Sequence, residues 1–181
     1  MNRAVASTTN GDPIAVVPGG IAEMFLGYPK PGTLPNEEYA LLRNRKGFVR
    51  MAVKHGVPIV PVYCFGATKM LKRLQVGLLE SISNATRVAI CLFFGVWGLP
   101  IPFRQRLLYV SGDPLYPSTY RQGGDGGGGT PDSNAAVPAL TDAAFEKEVE
   151  ELHTKFCDEI MRLFERHKDS YGWSHKVLRL V

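Results

Sequence analysis

Two short segments of the sequence combine residue types that could bind an anionic or acylated ligand. In the first, Gly19 and Gly20 follow the β-branched apolar run Ile14–Val17, which is predicted to be a buried strand, and Glu23 comes three residues later. Adjacent glycines leave backbone N–H groups accessible to a ligand oxygen. The carboxylate of Glu23 could accept a hydrogen bond or orient another group. A simple turn explains the same residues, so both interpretations stay open.

The second segment is basic. Eight Lys or Arg and no acid lie between Arg43 and Arg73, although the whole chain carries a net charge of only +4. Guanidinium and ammonium groups pair with phosphate, so this stretch predicts an anionic partner: a phosphate, a lipid surface or a nucleic acid. A solvated helix face is the alternative on charge alone. The candidate binding residues are Arg45, Lys46, Gly47, Phe48 and Arg50.

A third segment, Gly95–Phe103, is an apolar loop that contains Trp97. Exposed apolar loops with Trp suit a membrane interface or an acyl pocket, whereas a packed corner of the core is the alternative. The apolar run around it, Val88–Phe103, is interrupted by two glycines and two prolines. It is therefore too broken for the roughly 18–20 residues of a spanning helix.

Common catalytic and metal-binding motifs are missing from the sequence. The three cysteines and four histidines have no zinc-like spacing, and no Gly-x-Ser-x-Gly occurs, so no metal and no cofactor is predicted. His153 and Asp158 are spaced His-x4-Asp. Five helical residues turn roughly 500°, which leaves the two side chains about 140° apart, so the spacing is interpreted as a coincidence. His55 is interpreted as a helix-end or core residue.

The elements that must position these segments alternate between strand and helix. This order predicts an α/β fold with a mostly parallel sheet flanked by helices. The Gly-rich stretch 121–140 lacks Gly-Lys-Ser/Thr and is predicted to be a flexible insert rather than a phosphate loop. After the strand Ile14–Val17, a helix is predicted over Asn36–His55, ended by Gly56. Strands are predicted over Val57–Tyr63 and Arg106–Ser111, and a long helix from Thr141 to about Lys168.

Several of these blocks together resemble the type 2 diacylglycerol O-acyltransferase family, which includes monoacylglycerol and wax-ester acyltransferases. The likeness covers about residues 14–119 and 141–181. It implies a single glycerolipid-acyltransferase-like domain over residues 1–181, incomplete at its N-terminus and interrupted by the insert. The blocks are Gly19–Glu23, Leu42–Arg50, Val60–Gly66, Trp97–Pro102, Gly112–Pro114 and Phe164–Gly172.

The resemblance implies acyl transfer from acyl-CoA to a glycerolipid hydroxyl, with diacylglycerol converted to triacylglycerol. Acyl-CoA would be a substrate and not a cofactor. The expected location is the cytosolic face of the endoplasmic reticulum membrane and lipid droplets. The resemblance implies that Glu23 supports the catalytic site. The substrate-binding residues would be Gly19, Gly20, Glu23, Arg45, Lys46, Gly47, Phe48 and Arg50.

The sequence also departs from this family. Its catalytic His-Pro-His-Gly or Glu-Pro-His-Ser tetrapeptide does not occur here, and Ala67 stands where the family has an acid or Gln. A positioned base contributes about 10²–10⁴-fold to the rate of such a reaction. Because the motif that supplies this base is absent here, no catalytic residue is assigned. The chain is expected to be the C-terminal part of a longer enzyme.

A non-catalytic role is the alternative. The chain would then bind a lipid or membrane surface or a protein partner, by self-association or by pairing with a full-length relative. No nucleic-acid partner is expected, because no recognition motif accompanies the basic charge.

Overall fold

The elements of the fold are given by a computed structural model that describes residues 13–23, 32–73, 93–99, 101–120 and 141–181. The predicted insert at 121–140 lies outside these ranges. In chain order the elements are helix α1 (Gly20–Glu23), strand β1 (Glu37–Ala40), helix α2 (Gly47–His55), strands β2 (Val62–Phe65), β3 (Lys72–Arg73), β4 (Phe93–Phe94) and β5 (Leu108–Ser111), helix α3 (Asp142–Tyr171) and strand β6 (Val177–Leu180).

The strands form three two-stranded sheets. Strands β1 and β6 are parallel, with Glu37 opposite Val177, whereas β3 and β4 are antiparallel, and the third pair is β2 with β5. The described residues up to Tyr63 and from Val110 onward form one compact unit, and those from Cys64 to Tyr109 form a second. The fold is therefore α/β, as predicted, but the described ranges contain no single large parallel sheet.

Helix α3 confirms the clearest sequence prediction. Its N-cap is Thr141, whose side chain accepts a hydrogen bond from the Ala144 N–H, and its C-cap is Gly172 in the left-handed conformation. The predicted apolar stripe is buried, and its Val149 and Leu152 pack with Val49 of α2 in a common core. The buried members of the stripe are Val149, Leu152, Phe156, Ile160 and Leu163.

Two predicted elements near the N-terminal side are wrong. Residues Ile14–Val17 are irregular and exposed rather than a buried strand, because no described strand lies beside them to complete their hydrogen bonds. The predicted helix 36–55 begins only at Gly47, and Glu37–Ala40 is a strand. Burial alternates along that strand, with Glu38 and Ala40 inside, because it pairs with β6, which the sequence analysis did not predict. The predicted end at Gly56 is confirmed.

Pro61 divides the predicted strand 57–63. Ile59 makes an isolated antiparallel bridge with Leu115 before it, and β2 begins after it. The carbonyl of Pro61 accepts a hydrogen bond from the Gly112 N–H at 2.8 Å, whereas its own nitrogen has no hydrogen to donate. Pairing is therefore interrupted at Pro61, because proline cannot donate to the ladder.

Candidate functional site

Glu23 contacts the chain just before the basic segment. Its carboxylate accepts a hydrogen bond from the backbone N–H of Leu41 at 3.1 Å. A side chain at Gly19 would put its Cβ 2.4 Å from a carboxylate oxygen of Glu23, so the glycine makes this packing possible. Burial raises the pKa of Glu23, and the Leu41 hydrogen bond partly opposes that rise. The structure thus brings the Gly-Gly segment close to the residues that lead into the basic segment.

The chain just after Leu41 is held by two further elements. The backbone N–H groups of Leu42 and Arg43 both donate to the Val181 carbonyl, at 3.0 and 2.9 Å. The Leu42 carbonyl faces His153 of α3, whose Nε2 lies 2.9 Å away. We call residues 41–45 the basic turn, since the Arg45 N–H closes it on the Leu42 carbonyl at 2.9 Å. Its backbone is therefore well ordered by hydrogen bonds from distant parts of the chain.

Lys46 and Arg50 form ion pairs with α3. Lys46 contacts Glu150, and both terminal nitrogens of Arg50 contact the carboxylate of Glu146 at 2.5 and 2.6 Å. The Lys46 hydrogen bond lowers the pKa of Glu150. The first turn of α2 contains no acid, so its positive dipole end and these cations are balanced by acids from α3. The predicted role of Lys46 and Arg50 in substrate binding therefore competes with a helix–helix contact.

Arg43 and Arg45 differ from their basic neighbours. Both side chains are exposed, and neither has an ion-pair partner among the described residues. The sequence analysis proposed Arg45 as a binding residue but not Arg43, because residue type alone cannot separate paired from unpaired arginines. These two guanidinium groups are available to an anionic ligand.

An open groove of about 450 Å³ adjoins Arg43. Its volume is in the range of small-molecule sites. One wall comes from α3 and another from β6, which gives it apolar and charged surfaces. The lining residues are Arg43, Glu150, His153, Thr154, Cys157, Met161, Leu178, Arg179 and Leu180.

The remaining predicted residues of the basic segment have different surroundings. The Phe48 ring packs edge-on against Phe156, with ring centroids 4.9 Å apart. It is partly buried beside the α2–α3 core, which favours a packing role. Gly47 is exposed, and a Cβ there would meet no atom within 4 Å. Gly20 is exposed too, and has a φ of 57°.

His153 is a buried core residue in this fold. Because a carbonyl oxygen only accepts hydrogen bonds, His153 donates its Nε2–H to Leu42. That nitrogen then has no lone pair for the thiol of Cys157, whose Sγ lies 3.8 Å away. Burial raises the pKa of the Cys157 thiol, so the two residues do not form an activated nucleophile. Asp158 is exposed, in keeping with the interpretation of His-x4-Asp as a coincidence.

Among the described ranges, no three His, Cys, Asp or Glu residues are grouped so that they could hold a metal ion. Nor does any helix in those ranges combine the length and apolarity needed to cross a bilayer.

The raised pKa of Glu23 predicts a pH-dependent stability. A carboxyl whose folded pKa lies above its unfolded value of about 4.5 stabilises the fold at lower pH, and this contribution is lost as pH rises through the folded pKa. We expect the stability of the native chain relative to Glu23→Gln to fall as pH rises from below 4.5. Urea denaturation of both proteins over a pH series measures this difference.

Glu150→Gln is the matched control, because the pKa of Glu150 is lowered. Its contribution should be present above the unfolded pKa and disappear as pH falls through the folded pKa. If the stability difference between native and substituted chain changed with pH in the same direction for both carboxyls, the raised pKa assigned to Glu23 would be contradicted.

Comparison with known proteins places the chain among lipid acyltransferases. A family model described as diacylglycerol acyltransferase matches residues 1–122. The chain is 27% identical to diacylglycerol O-acyltransferase 2 of Rattus norvegicus, over 90% of this chain and 38% of that protein. It is 29% identical to acyl-CoA wax alcohol acyltransferase 2 of Homo sapiens, over 91% of this chain and 45% of that protein. The chain thus spans less than half the length of these relatives. No solved structure matches it.

Proposed function

This chain belongs to the diacylglycerol acyltransferase family, and from that premise we propose that it takes part in acyl transfer from acyl-CoA to a glycerolipid hydroxyl. Diacylglycerol is the proposed acceptor and triacylglycerol the product. The proposed location is the cytosolic face of the endoplasmic reticulum membrane and lipid droplets. In this proposal the α/β elements belong to a larger, mostly parallel glycerolipid-acyltransferase-like sheet.

The observation that carries the proposal is the pair of exposed arginines on the basic turn. Acyl-CoA contains phosphates and a long apolar chain, and it needs cationic and apolar surfaces side by side. Arg43 and Arg45 supply guanidinium groups for the phosphates. The adjoining groove of about 450 Å³ offers apolar surface from Met161 and Leu180 for the acyl chain.

Glu23 is proposed as a supporting residue. Its carboxylate holds the Leu41 N–H at 3.1 Å, and it therefore orients the turn that carries both arginines. With a raised pKa, it is also more readily protonated than an exposed carboxyl. These properties suit a positioning residue rather than the base that deprotonates the acceptor hydroxyl.

The base is proposed to come from a His-Pro-His-Gly-like motif of the family, which this sequence does not contain. His153 is hydrogen-bonded to Leu42 in the core, which leaves it unsuited to the role. A positioned base is worth about 10²–10⁴-fold. The chain would therefore act together with a polypeptide that carries the motif, either as part of a longer product or in a complex with a full-length relative.

Co-expression tests this proposal. The chain is produced in cells without triacylglycerol synthesis, together with the amino-terminal part of a relative that carries the motif. We expect triacylglycerol from labelled acyl-CoA and diacylglycerol only when both parts are present. If the chain is made in folded form and the pair yields none, the proposed reaction is wrong.

Arg45 gives a residue-level prediction in the same assay. In Arg45→Ala the phosphate contact is lost in both the bound substrate and the transition state. We therefore expect the KM for acyl-CoA to rise about tenfold, with little change in kcat. The control is Arg166→Ala, which removes an exposed arginine of α3 far along the helix from the basic turn. An unchanged KM in the Arg45 variant, or an equal rise in the control, would remove Arg45 from the site.

A second candidate function is non-catalytic binding to a membrane surface or to a protein partner. The observation in its favour is Trp97, whose side chain is 89% exposed. Binding by a chain that makes no triacylglycerol in the co-expression assay would make this the better description.

A further inference from the structure

The second compact unit contains a loop that presents apolar side chains to solvent. We call residues 95–99 and 101–103 the Trp97 loop. Trp97 is 89% exposed, and Leu99 and Ile101 are each about half exposed, at 49% and 48%. Single exposed apolar residues are ordinary, but a Trp and two aliphatic residues on one short loop form a patch that favours a partner.

This loop is ordered by its own backbone. The Gly95 N–H donates to the Leu99 carbonyl at 2.7 Å, and the Val96 N–H donates to the Ile101 carbonyl at 2.9 Å. The Phe103 N–H donates to the Met70 carbonyl at 2.7 Å, which ties the end of the loop to the segment before β3. The exposed side chains are therefore carried on a fixed backbone and not on a loose connection.

Two backbone features suit display of the Trp. Trp97 has φ 57° and ψ 24°, a left-handed conformation that L side chains rarely adopt. At Gly95, a Cβ would lie 1.8 Å from the Ile101 carbonyl oxygen, so only glycine permits this closure. The loop keeps an uncommon conformation that exposes its largest apolar side chain, and uncommon conformations of this kind are concentrated at binding sites.

The same unit is strongly cationic. Between Cys64 and Tyr109 the sequence has six Lys or Arg and one acid. The described part of the unit contains five of these cations and no acid. They are Lys69, Lys72, Arg73, Arg104 and Arg106. Arg104 and Arg106 follow the Trp97 loop directly, and both are exposed.

We propose that the Trp97 loop inserts into the interface of an anionic lipid membrane. Trp97, Leu99 and Ile101 would enter the headgroup region, where amphipathic aromatic rings are favoured. Arg104 and Arg106 would face anionic lipid headgroups, and the positive charge is what selects a lipid surface over an apolar protein surface. This inference rests on the membrane location in the proposed function and specifies which loop and which lipids make the contact. It does not require acyl transfer by the chain.

Vesicle flotation of the complete chain tests the inference. The probes are vesicles of phosphatidylcholine alone and of phosphatidylcholine mixed with phosphatidylserine. We expect binding to the mixed vesicles and little to the neutral ones. Trp97→Ala should weaken binding to mixed vesicles about tenfold, because the apolar surface it inserts is lost. Neutralising both Arg104 and Arg106 to Gln should weaken it by about fivefold per cation, the equivalent of about 1 kcal/mol each.

Tyr116→Ala is the matched control, since Tyr116 is an aromatic residue outside the loop with 55% exposure. A substitution at exposed Trp97 leaves the core intact, and Trp97→Gly provides a second variant that suits the left-handed backbone. Equal binding by native and Trp97 variants overturns the loop assignment, and equal binding to neutral and mixed vesicles overturns the anionic partner. Flotation does not depend on triacylglycerol synthesis, so the two proposals fail separately.

Discussion

Replacing Lys176 with Met is expected to lower the free energy of unfolding by about 3–5 kcal/mol, because it removes the ion-pair partner of the buried carboxylate of Glu38. The two side chains are 4% and 6% exposed and form an ion pair. The ammonium group also lies 4.5 Å from the centroid of the Trp173 ring, where the ring face attracts a cation. Urea denaturation of the native and substituted chains measures the loss.

The neighbouring ion pair between β1 and β6 serves as the control. Arg179 pairs with Glu37, but the Arg179 side chain is 60% exposed. Arg179→Met should therefore cost no more than about 1 kcal/mol. The double substitution Lys176→Met with Glu38→Leu should recover most of the loss, because no unpaired charge remains. If Lys176→Met and Arg179→Met lowered the free energy of unfolding by similar amounts, burial of the ion pair would not determine its contribution to stability.

His153→Ala is expected to destabilise the chain by about 2–4 kcal/mol, from a cavity in the core and the loss of the buried hydrogen bond to the Leu42 carbonyl. The imidazole is 5% exposed and donates to that carbonyl at 2.9 Å. Asp158→Ala should change stability by less than about 0.5 kcal/mol, because Asp158 is exposed. Thermal and urea denaturation of both variants check these values.

The same pair of variants tests the His-x4-Asp spacing in the co-expression assay. If His153 is structural, Asp158→Ala retains full triacylglycerol synthesis, and any loss in His153→Ala follows the loss of folded protein. Equal losses of activity in two well-folded variants would instead indicate a catalytic pair. This comparison separates a role in the core from a role in the reaction.

Local signals account for the part of the fold that was predicted. Helix α3 has its cap and its apolar stripe within a single continuous segment, so its start at Thr141 is predicted correctly and its observed end at Tyr171 lies three residues beyond the predicted Lys168. Strand β1 carries no such signal, because two acids at Glu37 and Glu38 do not suggest a strand. It becomes one through partners far along the chain, since Lys176 lies 138 residues from Glu38. A sequence pattern read in short windows does not contain that pairing.

The candidate site shows the same limit. Sequence alone groups Arg45, Lys46 and Arg50 as equivalent cations. The fold separates them, because Glu146 and Glu150 of α3 pair with Arg50 and Lys46. Arg45 has no such partner among the described residues. Residue type therefore identifies the basic segment, whereas its division into cations paired with α3 and cations without such a pair depends on contacts across the chain.

The pairing of β1 with β6 also bears on the time at which the basic turn becomes ordered. Val181 accepts the Leu42 and Arg43 N–H groups, so the turn is completed by a residue that is synthesised after helix α3. At a synthesis rate of about 5–20 residues per second, Arg43 and Arg45 emerge several seconds before their backbone is fixed. Long-range parallel pairing is also slow to form. Arg43 and Arg45 should therefore reach their final backbone conformation only after α3 is already helical.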